Sequence, residues 1–104
     1  MVMSTLTGRK FLWTFTEGPT SGKTYEHTFA DDGSVSFGTP GGKPTRVDRY
    51  GAYEVSPDVT LVSYLAPESG YTLTVAMNAA DGKLYGFASN DKEWYPVSGT
   101  FEVQ

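Results

Sequence analysis

The sequence of 104 residues contains no cysteine and a single histidine, His27. The absence of cysteine excludes disulfide frameworks, cysteine-ligated zinc sites and thiol catalysis. A metal site with only one histidine would need carboxylates as most of its ligands, and the acidic residues do not cluster at metal-binding spacing. We therefore expect neither a metal nor a cofactor.

Basic residues are also few. Eight Lys and Arg stand against 12 Asp and Glu, for a net charge of −4, and no basic stripe of the kind that binds nucleic acid is present. No run approaches the roughly 18 apolar residues of a membrane span, and no secretory signal precedes Gly8. We therefore expect a cytoplasmic protein that binds neither nucleic acid nor a membrane.

Stretches long enough for amphipathic helices are missing as well. The 12 Gly and 6 Pro are spread along the chain. The longest segment without either, residues 71–81, alternates apolar and polar residues in the manner of a half-buried strand. This pattern excludes a helical bundle and argues against an α/β fold, which needs crossover helices.

Aromatic residues, by contrast, are plentiful, with 7 Tyr, 6 Phe and 2 Trp to supply a core. Turn signals rich in Gly, Pro, Asp and Asn recur along the chain and separate short strands. Consecutive hairpins form an antiparallel meander, and closing the meander removes its sheet edges. We predict an all-β fold: a flexible lead-in over residues 1–7, then a single eight- to nine-stranded antiparallel up-and-down β-barrel over residues 8–104.

The alternation also predicts which side chains face the interior, although residues 59–65 are apolar nearly throughout and their facing is ambiguous. A barrel of about eight strands is either filled by side chains or able to hold one small ligand. If it is hollow, the predicted ligand-binding residues are Phe11, Trp13, Tyr25, His27, Phe37, Arg46, Tyr64 and Tyr85.

His27 and Arg46 each have a functional and a purely structural interpretation. His27 is the one side chain that ordinarily titrates near neutrality. It is either a hydrogen-bonded core histidine or, with Tyr25, a candidate catalytic residue. Arg46 either lies at a solvated edge or pairs with a ligand carboxylate at the barrel mouth.

Several segments together suggest a family. They are Gly8 to Phe15, Gly18-Pro19, Gly22 to Phe29, Tyr71 to Val75, and Gly86 to Asn90 leading into Trp94 to Phe101. Over residues 8–103 the chain resembles the MoaF-like family (molybdenum cofactor biosynthesis protein F-like), and the last of these segments is the most specific. The resemblance implies a calycin or lipocalin-like barrel that holds a small, mostly apolar or aromatic molecule.

A more distant resemblance is to phenolic acid decarboxylases, which are calycin enzymes that bind hydroxycinnamates. Tyr25 matches that family best, and Arg46 corresponds loosely to its carboxylate-reading arginine. The family's Tyr-x-Tyr pair is replaced by Phe11-Leu12-Trp13, and its acidic residue before a proline by Ala66. Because those groups orient and protonate the substrate, the resemblance implies a similar pocket without the decarboxylase chemistry.

Three functions remain open on this basis. The first is a barrel that binds a small aromatic or mostly apolar molecule, with or without a carboxylate. The second is an acid–base enzyme (a decarboxylase, isomerase or cyclase) that acts on a small aromatic substrate through His27 and Tyr25. The third is a structural or interaction module without a ligand, whose apolar outer stripe self-associates. The expected partners are a small molecule and, if the chain is not a monomer, a second copy in a homodimer.

Overall fold

The structure, a computed structural model, describes residues 6–104. This part of the chain is all β and holds no helix that could cross a membrane. Its nine strands are β1 (Arg9–Glu17), β2 (Thr24–Phe29), β3 (Val35–Gly38), β4 (Thr45–Val47), β5 (Gly51–Glu54), β6 (Val59–Leu65), β7 (Thr72–Asn78), β8 (Lys83–Ser89) and β9 (Trp94–Val103).

All nine strands belong to one antiparallel sheet in the order β4-β3-β2-β1-β9-β8-β7-β6-β5. Successive strands pair as hairpins everywhere except between β4 and β5, and β9 returns to pair with β1. The sheet curls into a half-barrel. The predicted all-β antiparallel meander is therefore confirmed.

The half-barrel is open along one seam, between β4 and β5. The segment 45–55 divides at Gly51 into these two short strands. The connection between them is held elsewhere, because the Tyr50 amide donates a hydrogen bond to the Gly33 carbonyl (3.1 Å) and the Tyr50 ring packs on Phe29. The chain thus passes the beginning of β3 instead of turning back beside β4, and both sheet edges remain.

Two glycines allow the strong bend on the other side of the sheet. A Cβ at Gly86 would overlap the Thr74 carbonyl oxygen, and a Cβ at Gly99 would overlap the Thr14 carbonyl oxygen. Opposite Gly99, the pairing of β1 with β9 shifts register between Phe15 and Glu17. Strands β8 and β9 can approach their neighbours this closely only because they lack side chains at these two positions.

One half of the interior is filled by side chains, and we call it the packed half. Phe29 is fully buried, with its ring edge-on to Phe11 (5.7 Å between centroids) and to Tyr50 (4.9 Å). Leu6, predicted to lie in a flexible lead-in, is instead buried, and residues 1–5 of that lead-in lie outside the described residues. The buried members of the packed half are Leu6, Phe11, Phe29, Val35, Val47, Ala52, Met77 and Leu84.

Candidate functional site

The other half of the interior is hollow, and we call it the cavity half. The cavity has a volume of about 740 Å³ and lies where β1, β3, β6 and β8 end and where β2, β7 and β9 begin. Its volume falls within the range of roughly 300–1,000 Å³ that is typical of small-molecule sites. Six aromatic side chains line it: Phe15, Tyr25, Phe37, Tyr64, Tyr71 and Tyr95.

The base of the cavity carries a buried polar pair. Nε2 of His27, which is 1% exposed, lies 2.7 Å from the hydroxyl of Tyr64, which is 5% exposed. These residues belong to β2 and β6, which are not neighbours in the sheet, so the hydrogen bond crosses the interior. The His27 ring is stacked between Trp13 (3.8 Å between centroids) and Phe37 (5.8 Å). Packing on both faces therefore fixes the imidazole.

Burial keeps both members of this pair neutral. It lowers the pKa of His27 from its ordinary 6.5 to about 3, against a weaker opposing effect of the Tyr25 backbone. Burial also raises the pKa of Tyr64, and the nearby Tyr25 adds to that shift. A neutral imidazole that is hard to protonate is a weak base, and a phenol with a raised pKa is a weak acid. At neutral pH the pair is suited to holding a hydrogen bond rather than transferring a proton.

Two buried nitrogens at the base of the cavity lack a hydrogen bond of good geometry among the described residues. They are Nδ1 of His27 and Nε1 of Trp13. An unpaired polar atom in an apolar interior costs free energy, and native structures seldom contain one without a reason. In addition, the Tyr25 hydroxyl, which belongs to the cavity lining, makes no side-chain hydrogen bond within residues 6–104.

The mouth of the cavity is acidic. The hydroxyls of Tyr71 (2.6 Å) and Tyr95 (3.3 Å) donate to one oxygen of Glu93. The hydrogen bond between Tyr71 and Glu93 raises the pKa of Tyr71 to about 12. Glu17 and Glu68 lie in the lining itself, and the lining contains no Lys or Arg among the described residues. Residues 6–104 also hold no group of three or more potential metal-binding side chains.

Four of the eight predicted ligand-binding residues line the cavity together: Tyr25, His27, Phe37 and Tyr64. Phe11 and Trp13 face inward as predicted, but they do not belong to the lining. Trp13 lies beneath the His27 ring and separates the cavity from the packed half, to which Phe11 belongs.

Tyr85 lies on the opposite face from the one predicted. Its side chain is 51% exposed on the outside of β8, whereas Leu84 is fully buried and Ala88 lines the cavity. Apolar residues occupy both faces of this strand, so the pattern did not decide between them. The ambiguous strand β6 is also resolved, with Val62 and Tyr64 pointing inward and Leu65 exposed.

Arg46 is not at the mouth of the cavity. Its side chain is 59% exposed and lies against Asp48 (3.3 Å) and Asp32 (3.6 Å). It lines a second hollow of about 830 Å³ along the seam between β4 and β5, separated from the cavity by Tyr64, which lines both. This position agrees with the solvated-edge interpretation of Arg46, because the guanidinium is paired with Asp32 and Asp48 and faces the seam. It does not support the alternative, in which Arg46 pairs with a ligand carboxylate at the barrel mouth.

Sequence reasoning missed the parts of the lining that come from loops and strand ends. These are residues 17–20, then Ala66, Glu68 and Ser69, and the beginning of β9 at Tyr95, Pro96 and Val97. Alternation shows which face of a strand is buried, but it does not show which end of the strand borders a cavity. The one available signal was that the small residues Ala66 and Ala88 lie at the ends of β6 and β8.

Comparison with protein families identifies the family of this chain. The model of the MoaF N-terminal domain matches residues 2–92, which is most of the chain. No curated protein matches the sequence. The matched range ends before β9 and so leaves out residues 94–101; it supports the first of the two resemblances and carries no support for the decarboxylases. The chain therefore belongs to the MoaF family.

Proposed function

We propose that this protein binds a small, largely aromatic or apolar molecule in the cavity half of the barrel. The observation that carries the proposal is a cavity of about 740 Å³ with aromatic walls and a buried hydrogen-bonded pair, His27 and Tyr64, at its base. Apolar walls provide affinity by burying the surface of a ligand, and a few fixed polar groups provide its orientation. Both features are present in one site.

The hollow does not contribute to the stability of the fold. An apolar cavity lowers stability because the side chains around it lose packing partners. Small residues keep it open, since Ala66 and Ala88 stand where larger side chains would fill the space. An interior selected only for packing would resemble the packed half, in which Phe29 and Leu84 are fully buried.

The base of the cavity offers a ligand two polar contacts. The Tyr25 hydroxyl makes no side-chain hydrogen bond in the described chain, and the Tyr64 oxygen has bonding capacity beyond its contact with His27. A ligand with one hydroxyl or carbonyl group directed at these phenols would therefore be oriented with its apolar part against Phe15 and Phe37.

The burial of His27 and Tyr64 favours ligand binding over acid–base catalysis. A general base works best when its pKa lies near the operating pH. Burial moves the pKa of His27 to about 3 and that of Tyr64 upward, away from neutrality in both directions. For this reason we assign the pair a role in orienting a ligand.

Isothermal titration calorimetry with 2-(1-naphthyl)ethanol tests the proposal. The matched variants are Ala88→Phe, in which the new ring fills the cavity, and Ala76→Phe on the neighbouring strand, where Ala76 is not part of the lining. We expect binding to the wild type and to Ala76→Phe, and a loss of at least about tenfold in Ala88→Phe, since about 1.4 kcal/mol of lost contact has that effect. Equal affinity in the two variants, or no binding to the wild type at millimolar ligand, would contradict the proposal.

A further inference from the structure

The charge around the cavity is of one sign. Glu17 and Glu68 line its mouth, and none of the described lining residues is a lysine or an arginine. His27 lies in the lining as a neutral, fully buried side chain, so it contributes no positive charge. A ligand carboxylate would therefore meet two like charges and no partner.

The two carboxylates reach the cavity from different walls. Glu17 ends β1, and Glu68 lies in the connection between β6 and β7, while β1 is not a neighbour of either of those strands. The Ser98 hydroxyl donates to one oxygen of Glu17 (2.9 Å), which fixes that carboxylate beside the opening. Glu68 makes no ion pair with any described residue. Both carboxylates thus remain able to attract a cation.

Two aromatic side chains of the lining also favour a cation. Tyr71 and Tyr95 stand in the lining with their rings 6.1 Å apart, and the hydroxyls of both are held by Glu93. The faces of aromatic rings carry partial negative charge and attract ammonium groups within about 6 Å. An aromatic wall in the same lining as two carboxylates is a favourable environment for an organic cation.

We infer that the ligand of this cavity is an amine: an aromatic or apolar body with a protonated nitrogen that lies at the mouth between Glu17 and Glu68. The inference rests on the proposed function and deepens it by naming the ligand class. The apolar body fills the space against Phe15 and Phe37, and the ammonium group remains near the carboxylates. The net charge of −4 of the whole chain assists the approach of such a cation.

Three ligands that share one ring system separate the possibilities: 2-(1-naphthyl)ethylamine, 2-(1-naphthyl)ethanol and 1-naphthylacetate, each titrated by calorimetry into the full chain at neutral pH. We expect the amine to bind roughly tenfold more tightly than the alcohol and the carboxylate to bind most weakly, because exposed carboxylates and ring faces each contribute a modest attraction.

The matched variants are Glu17→Gln with Glu68→Gln, and, as a control of equal charge change outside the lining, Glu54→Gln on β5 with Glu102→Gln on β9. The double variant should weaken the amine roughly fivefold and leave the alcohol unchanged, whereas the control should change neither. Equal binding of all three ligands, or tightest binding of the carboxylate, would overturn the inference and leave the proposed function intact. Failure of all three to bind would overturn both.

Discussion

The two halves of the barrel interior belong to one sheet and differ in what their side chains do. In the packed half, aromatic rings meet edge to face, as Phe29 does with Phe11 and Tyr50. In the cavity half, the rings of Tyr25, Phe37 and Tyr71 border a space of about 740 Å³. The packed half provides the stability of the fold, and this allows the other half to stay open.

The largest effect should come from truncating an aromatic ring in the packed half. Phe29→Ala removes a fully buried ring and should lower the free energy of unfolding by about 3–5 kcal/mol, because the change leaves a cavity in a close-packed region. Phe37→Ala is the matched change in the cavity half, where the ring already borders empty space, and it should cost less than about half as much. Urea unfolding measures both, and equal costs would show that the halves do not differ in packing.

A smaller effect is expected at the glycine that lets both halves share one bent wall. Gly86→Ala places a methyl group against the Thr74 carbonyl, so we expect a loss of about 2–3 kcal/mol as the backbone shifts. Gly51→Ala is the control, since its Cβ would meet no atom within 4 Å. Thermal unfolding in which Gly86→Ala is as stable as Gly51→Ala would mean that the close approach at Gly86 does not shape the barrel.

The buried His27, which lies at the boundary between the two halves, should make the stability of the protein sensitive to acid. Below pH 6.5 the unfolded chain protonates His27, whereas the folded chain keeps the residue neutral down to about pH 3. The unfolded state therefore binds more protons between these values, and stability falls as the pH falls, by up to about 1.4 kcal/mol per pH unit.

Replacing the histidine isolates this contribution. His27→Phe keeps an aromatic ring between Trp13 and Phe37 but cannot be protonated. Its stability should change less steeply between pH 6.5 and 3 than that of the wild type, measured by urea unfolding at several pH values. Identical slopes would indicate that His27 is already protonated in the folded protein.

The smallest effect, and the one that differs in sign between the halves, concerns added volume. Ala88→Leu adds apolar atoms to the cavity wall and should be neutral or stabilise the fold by up to about 1 kcal/mol. Ala52→Leu adds the same atoms in the packed half and should destabilise it by about 1–3 kcal/mol. If both substitutions destabilise the fold equally, the cavity half has no free space for a larger side chain.

Local patterns predicted the fold, because alternation and turn residues act within one or two strands. They placed Phe11, Trp13 and His27 on the inner face correctly, and they failed in β8, where Tyr85 and Leu84 are both apolar. These local patterns could not predict the cavity. It depends on contacts between distant segments, such as the hydrogen bond between His27 and Tyr64, which lie 37 residues apart.

The seam shows the same limit for charged residues. The sequence leaves two positions open for Arg46, a barrel mouth or a solvated edge. Its location is decided by Asp32 and Asp48, which pair with it at the seam. Which carboxylates reach an arginine depends on how two hairpins meet, and no periodicity in the sequence describes that.

The central claim is that a ligand enters the cavity half and leaves the packed half unchanged, and methyl NMR during a titration with 2-(1-naphthyl)ethanol tests it most directly. We expect the methyl resonances of Leu73, Ala88 and Val97, which line the cavity, to shift with ligand concentration. Those of Val35, Met77 and Leu84, which are buried in the packed half, should stay in place. Shifts confined to the packed half or to the outer face, or no shifts at saturating ligand, would contradict the account.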